Sequence, residues 1–165
     1  MKTLLVLRHA KSSWNDISCD DHDRPLNARG QRDAPRMGRL LQVEQLVPDL
    51  VLSSTARRAR ETVELVVDAC PNAGQVIYVD DLYLAEPQTW IDALGRIDED
   101  RVRVLIVGHN PGLELLVGML TGDEETMPTA ALAYIELPIE TWSELSVHSI
   151  GKLRDVWRPR ELEDV

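Results

Sequence analysis

An arginine and a histidine adjoin at Arg8-His9, arginines cluster from Arg57 to Arg60, and a second histidine stands in the turn Gly108-His109-Asn110-Pro111-Gly112. Neutral imidazole is a nucleophile, and a reference pKa of about 6.5 keeps that form available near pH 7. Guanidinium groups spread the charge on the oxygens of a phosphoryl group in transfer. Arg-His, Arg and His are thus the set that in-line phosphoryl transfer through a covalent phosphohistidine needs, provided the fold brings them together. Asp20-Asp21-His22-Asp23 has the composition of a metal cluster, but consecutive residues rarely point at one ion, and a polar loop is the expected reading. No metal and no cofactor is expected. His148 and the scattered Trp14, Trp90, Trp142 and Trp157 have no partner motif and read as packing or surface residues.

The elements that must position these residues are legible as apolar runs. Lys2 to Leu7 and Val102 to Val107 are nearly continuous, too short for helices, and end abruptly in polar residues and turn formers, as buried parallel strands do. Leu50 to Leu52 is a third strand, and Ala131 to Leu137 and Leu145 to Ile150 are weaker candidates. Between them Ala34, Met37, Leu40 and Leu41 share one helical face, and Ala56, Ala59, Val63 and Val66 share another. The alternation predicts an α/β fold, a three-layer α/β/α sandwich around a mainly parallel central sheet, with ligands at the carboxyl ends of the strands. Arg8-His9, the arginine cluster and His109 each follow such an end. Ser54 or Thr55 is expected to cap the helix bearing the arginines, and Asn110 the helix after Pro111. The charged tail from Arg158 to Val165 is expected to fray.

The chain has 165 residues, 44% of them hydrophobic, which suits one domain spanning 1–165 with a sizeable core. Its formal net charge of −10 argues against nucleic acid as a partner and makes any basic pocket local. The longest apolar runs fall short of a membrane span or a signal peptide, so a cytoplasmic protein without membrane contact is expected. Cys19 and Cys70 lack the spacing of a zinc or redox pair and read as reduced thiols. The sequence is silent on oligomeric state.

Arg8-His9-Ala10 resembles the Arg-His-Gly signature of the histidine phosphatase superfamily, which has the phosphoglycerate mutase-like fold. Arg24-Pro25-Leu26 with Gly30, Ser53-Ser54 with Arg58-Ala59 and Thr62, Gly108 to Gly112, and Pro128-Thr129-Ala130-Ala131 are similar, in order, to the motifs of its SixA-type phosphohistidine phosphatase branch. The resemblance implies His9 as nucleophile, Arg8 and Arg58 as phosphate clamps, and His109 as a second, protonated phosphate ligand. Helical geometry leaves Arg57 and Arg58 equal; the family's Arg-Ala-x-x-Thr spacing selects Arg58. Arg24 is a further substrate-binding candidate, and Asn15 another through the resemblance of residues 8–15 to the mutase branch. Many superfamily members carry a glutamate that protonates the leaving group; Asp81 and Glu86 lie in the matching region without a matching motif. A phosphohistidine substrate would need such an acid less, because its imidazole leaving group is a weak base.

The implied function is a metal-independent phosphatase acting on a phosphohistidine protein or a small phosphorylated compound. A phosphomutase shares these residues but usually carries longer insertions enclosing two phosphates. A phospho-ligand binding module without catalysis would usually have lost one of the four residues, and all four are present.

Overall fold

The computed structural model describes residues 1–163 and contains a six-stranded sheet with helices on both faces. Strands β1 (Lys2–Arg8), β2 (Leu50–Ser54), β3 (Gln75–Val79), β4 (Arg103–Gly108), β5 (Leu132–Leu137) and β6 (Lys152–Trp157) lie in the order β3-β2-β4-β1-β5-β6. The first four are mutually parallel, and β5 and β6 close one side antiparallel.

The apolar runs behave as the sequence requires of strands buried on both faces. Leu5 and Leu7 of β1 pack with α1 (Ala28–Val43) and α2 (Arg57–Asp68), whereas Leu4 and Val6 pack with α3 (Pro87–Leu94) and α4 (Gly112–Thr121). The predicted faces Ala34, Met37, Leu40, Leu41 and Ala56, Ala59, Val63, Val66 are all buried. This is the expected α/β/α sandwich with a mainly parallel sheet.

Four local expectations are corrected. Leu145 to Ile150 is not a strand: Ser149 N–H closes a turn on the Ser146 carbonyl and Ile150 is 80% exposed. The last strand is instead β6, an edge strand whose charged residues Lys152, Arg154 and Asp155 mask any apolar alternation. Strand β3, not foreseen, lies at the opposite edge. The α2 N-cap is Ala56, and Ser54 Oγ accepts from its N–H rather than capping the helix itself. The α4 N-cap is Pro111; the Asn110 amide donates to Glu114 Oε1 and the Met127 carbonyl. The tail is tied down, because Arg158 pairs with Glu125 at 2.7 Å and Arg36 holds the Leu162 carbonyl; its residues 164–165 lie outside the described range.

Candidate active site

Register alone places the two histidine turns side by side. Arg8 of β1 faces Gly108 of β4, Val107 of β4 faces Ser53 of β2, and the His9 N–H donates to the Gly108 carbonyl at 3.0 Å. Position 108 must be glycine at this approach, since a Cβ would stand 2.5 Å from Trp90 Cζ2. The His9 and His109 ring centroids are consequently 5.1 Å apart.

The loop after β5 locks the first turn from the other side. Ala130, at φ 64°, donates its N–H to both the Arg8 and His9 carbonyls. That left-handed conformation is unfavourable for a residue with a Cβ, so the fully buried surroundings must hold it there. From below, Thr62 of α2 accepts the Ala10 N–H at 3.0 Å and donates to the Arg58 carbonyl at 2.6 Å. One hydroxyl therefore ties the His9 turn to the helix that carries Arg58, which gives the Arg-Ala-x-x-Thr spacing its physical meaning.

His9 is 6% exposed, and its Nδ1 lies 2.7 Å from the Ala10 carbonyl. A carbonyl only accepts, so Nδ1 carries the proton and Nε2 carries the lone pair. Burial lowers the His9 pKa to about 3, assisted by Arg58, Arg8 and Arg24 and opposed by the Ala10 hydrogen bond. The ring is thus neutral at pH 7, in the tautomer a nucleophile requires. All three arginines act on this imidazole electrostatically.

His109 Nε2 lies 2.8 Å from Ser54 Oγ, and its pKa is lowered to about 3, first by burial and then by His9 and Arg58. Without an anion beside it this ring is therefore neutral, and the protonated His109 that the resemblance implies belongs to a phosphate-bound site.

Arg58 is 3% exposed and donates to the Asp21 carbonyl at 2.7 Å and to Asp21 Oδ2 at 3.1 Å. Arg24 donates Nε to Asp21 Oδ1 at 3.0 Å and Nη1 to Ser12 Oγ at 2.7 Å, with Trp14 stacked 3.4 Å from its guanidinium carbon. Arg8, half-buried, reaches the Met127 carbonyl at 3.1 Å. The Nε atoms of Arg8 and Arg58 and Nδ1 of His109 are buried without a hydrogen-bond partner among the described residues.

Asp21, placed by sequence in a polar loop, turns inward as the brace of both guanidiniums and accepts from the Tyr83 hydroxyl. Burial raises its pKa, but the Tyr83 hydroxyl, Arg58 and Arg24 outweigh this and hold it at about 2. The Tyr83 ring meets His109 edge-on at 5.5 Å and His22 at 4.8 Å, and His22 Nε2 lies 3.0 Å from Thr55 Oγ1. Sequence reasoning missed Asp21 and Tyr83; the available signal was the acid three residues before Arg24.

Asn15 lies exposed on the rim loop, away from the two imidazoles in its contacts. The side chains of Asp81 and Glu86 are exposed and make no hydrogen bond or ion pair to the site among the described residues. Arg57 pairs with Glu61 at 3.1 Å on the surface of α2, and His148 is exposed in a turn.

A neutral, buried imidazole with arginines in its electrostatic reach at the carboxyl end of a parallel sheet is an arrangement suited to a phosphoryl group. Residues 4–83 match the histidine phosphatase superfamily (branch 1). A chloroplastic protein of Arabidopsis thaliana is 32% identical over 154 residues, covering 87% of this chain and 70% of that protein. The structure of a candidate phosphohistidine phosphatase SixA from Agrobacterium tumefaciens superposes with a TM-score of 0.82 at 28% identity, covering 96% of this chain and 98% of the other. A second such structure, from Nakamurella multipartitia, gives 0.85 at 27% identity over 96% of both chains. The chain belongs to the histidine phosphatase superfamily, in its SixA-type branch, and is a phosphatase. No helix of the described residues is long and apolar enough to cross a membrane.

Proposed function

We propose that this phosphatase hydrolyses phosphohistidine in a protein, or a small phosphorylated compound, through a covalent phosphohistidine on His9. The observation that carries the reading is the Nδ1 contact to the Ala10 carbonyl, which leaves Nε2 as a lone pair beside Arg8 and Arg58. In the first step Nε2 forms the bond to phosphorus while the bond to the leaving group breaks, and the leaving group keeps that electron pair. In the second step water attacks phosphorus, the phosphorus to Nε2 bond breaks, and inorganic phosphate and neutral His9 are restored. Arg8 and Arg58 clamp the equatorial oxygens. Arg24 supports the clamp through Asp21, and His109 binds a phosphoryl oxygen. Asn15 contacts the substrate only if the rim loop folds inward.

With Asp81 and Glu86 making no contact with the site, the reading favours leaving groups that need little protonation, as the imidazole of phosphohistidine is. Phosphoramidates and aryl phosphates are expected to turn over faster than sugar phosphates; equal rates on all three would overturn this preference. His9→Ala should abolish hydrolysis of p-nitrophenyl phosphate, whereas EDTA should leave the wild type active. A fully active His9→Ala protein would overturn the covalent mechanism. A cytoplasmic location fits the two free thiols, Cys19 and Cys70.

A further inference from the structure

A cavity of about 450 Å³ is lined by Arg29, Arg158 and Arg160 and by the carboxylates Glu114 and Glu161, together with Thr126, Pro128 and Thr129. One loop connects it to the phosphoryl site: buried Met127, whose carbonyl takes the Arg8 guanidinium, lies in the chain between lining residues Thr126 and Pro128. Glu114, also on the wall, fixes that loop by accepting the Met127 N–H at 2.8 Å. The cavity lies at the same end of the sheet as the site, because Trp157 at the end of β6 pairs with Leu132, which faces Leu7 of β1.

Its positive charge is only partly spent internally. Arg158 is engaged by Glu125 at 2.7 Å and Glu161 at 3.7 Å. Arg29 approaches Asp33 at 3.7 Å, but that one carboxylate also serves Arg32 and Arg36 at 3.4 and 3.2 Å. Arg160 is exposed and has no ion pair among the described residues. In a chain of net charge −10, a cavity whose wall sets three guanidiniums against two carboxylates, at the phosphoryl site's end of the sheet, is a departure from the general field.

We propose that this cavity is a second anion subsite, receiving a carboxylate of the same substrate whose phosphoryl group is held by Arg8 and His9. The proposal rests on the phosphatase reading and names its specificity: substrates carrying a carboxylate beyond the phosphoryl group are preferred. The carboxylate belongs either to an acidic side chain flanking a phosphohistidine or to a small phosphorylated acid.

Binding of stable phosphonates tests this without turnover. One pair is benzylphosphonate and its 4-carboxymethyl derivative; the other is a peptide bearing a phosphonate analogue of phosphohistidine, flanked by glutamates or by glutamines. The wild type should bind the carboxylated member of at least one pair roughly three- to tenfold more tightly, and added salt should shrink the difference. The preference should vanish in Arg160→Glu and in Arg29→Ala/Arg160→Ala, with benzylphosphonate affinity unchanged. Preference in the peptide pair alone assigns the carboxylate to a protein substrate, and in the small pair alone to a metabolite. Equal affinities within both pairs, or a preference that survives both variants, would overturn the subsite. Failure of the wild type to hydrolyse p-nitrophenyl phosphate would instead overturn the phosphatase mechanism and leave this binding result standing.

Discussion

His109 is neutral in the free site because burial and the neighbouring cations penalise its charge, yet a bound dianion reverses that balance by favouring imidazolium. Anion binding should then take up a proton. Sulfate is the useful probe, since its own charge is constant from mildly acidic to neutral pH. Its affinity should rise as pH falls from about 7 to 5, and the rise should disappear in His109→Gln, as measured by calorimetry. A sulfate affinity that is flat with pH in the wild type would show that His109 stays neutral when the anion is bound. Asp21 poses a second residue-level question. It holds Arg58 through both its carbonyl and its carboxylate and holds Arg24 through the other carboxylate oxygen. Asp21→Asn keeps the carbonyl contact but weakens two charge-assisted hydrogen bonds, each worth about 1.5–3 kcal/mol when buried and less at this half-exposed position. Turnover of p-nitrophenyl phosphate should fall about tenfold, because each 1.4 kcal/mol of lost transition-state stabilisation is a factor of ten. Unchanged kcat would show that packing alone orients the guanidiniums. Arg8, His9, Arg58 and His109 were legible because each follows an apolar run and matches a motif. Asp21 was not, because it sits in a run of acids whose inward member only the folded loop selects.

Among the elements, α2 has the most demanding placement, since it must deliver Arg58 to a turn that belongs to another strand. Thr62 makes that connection through two hydrogen bonds on one buried hydroxyl. Thr62→Val preserves shape but leaves the buried Ala10 N–H without its acceptor, a loss of about 1–3 kcal/mol. Both unfolding free energy and kcat should fall in this variant, and Thr62→Ser should recover both; a Val variant with wild-type kcat would confine Thr62 to stability. The strands that carry chemistry were readable for the same reason they are rigid: buried on both faces, they are written as unbroken apolar runs. The edges were not. Strand β3 is partly exposed along its length, and the charges of β6 break its apolar alternation, with Arg154 paired to Glu136 across the edge at 3.2 Å. Leu145 to Ile150 carried the apolar content without a neighbour to pair with, and tertiary pairing overrode the local pattern.

At the scale of the whole molecule, the active site sets how the fold responds to acid. His9 and His109 hold pKa values of about 3 in the folded chain against about 6.5 when unfolded. Between those values the unfolded chain binds more protons than the native one, so stability is complete above about pH 6.5 and falls as pH drops toward 3. Asp21 adds a later decline, because its folded pKa of about 2 lies below the unfolded carboxylate value and its ion pairs are lost only in that lower window. The denaturation midpoint in urea should therefore decrease steadily from pH 6.5 to pH 4.5, well above the range where carboxylates dominate. Replacing both histidines by glutamine removes the two groups that must charge on unfolding, so the double variant should be nearly flat over that interval, whatever its absolute stability. An undiminished slope in the double variant would mean that other groups carry the acid sensitivity and that these imidazoles are not held neutral. The same desolvation that makes the fold acid-sensitive extends the neutral form of the His9 ring to lower pH, so a variant that opens the site to water should gain acid tolerance and narrow the pH range over which that ring is uncharged.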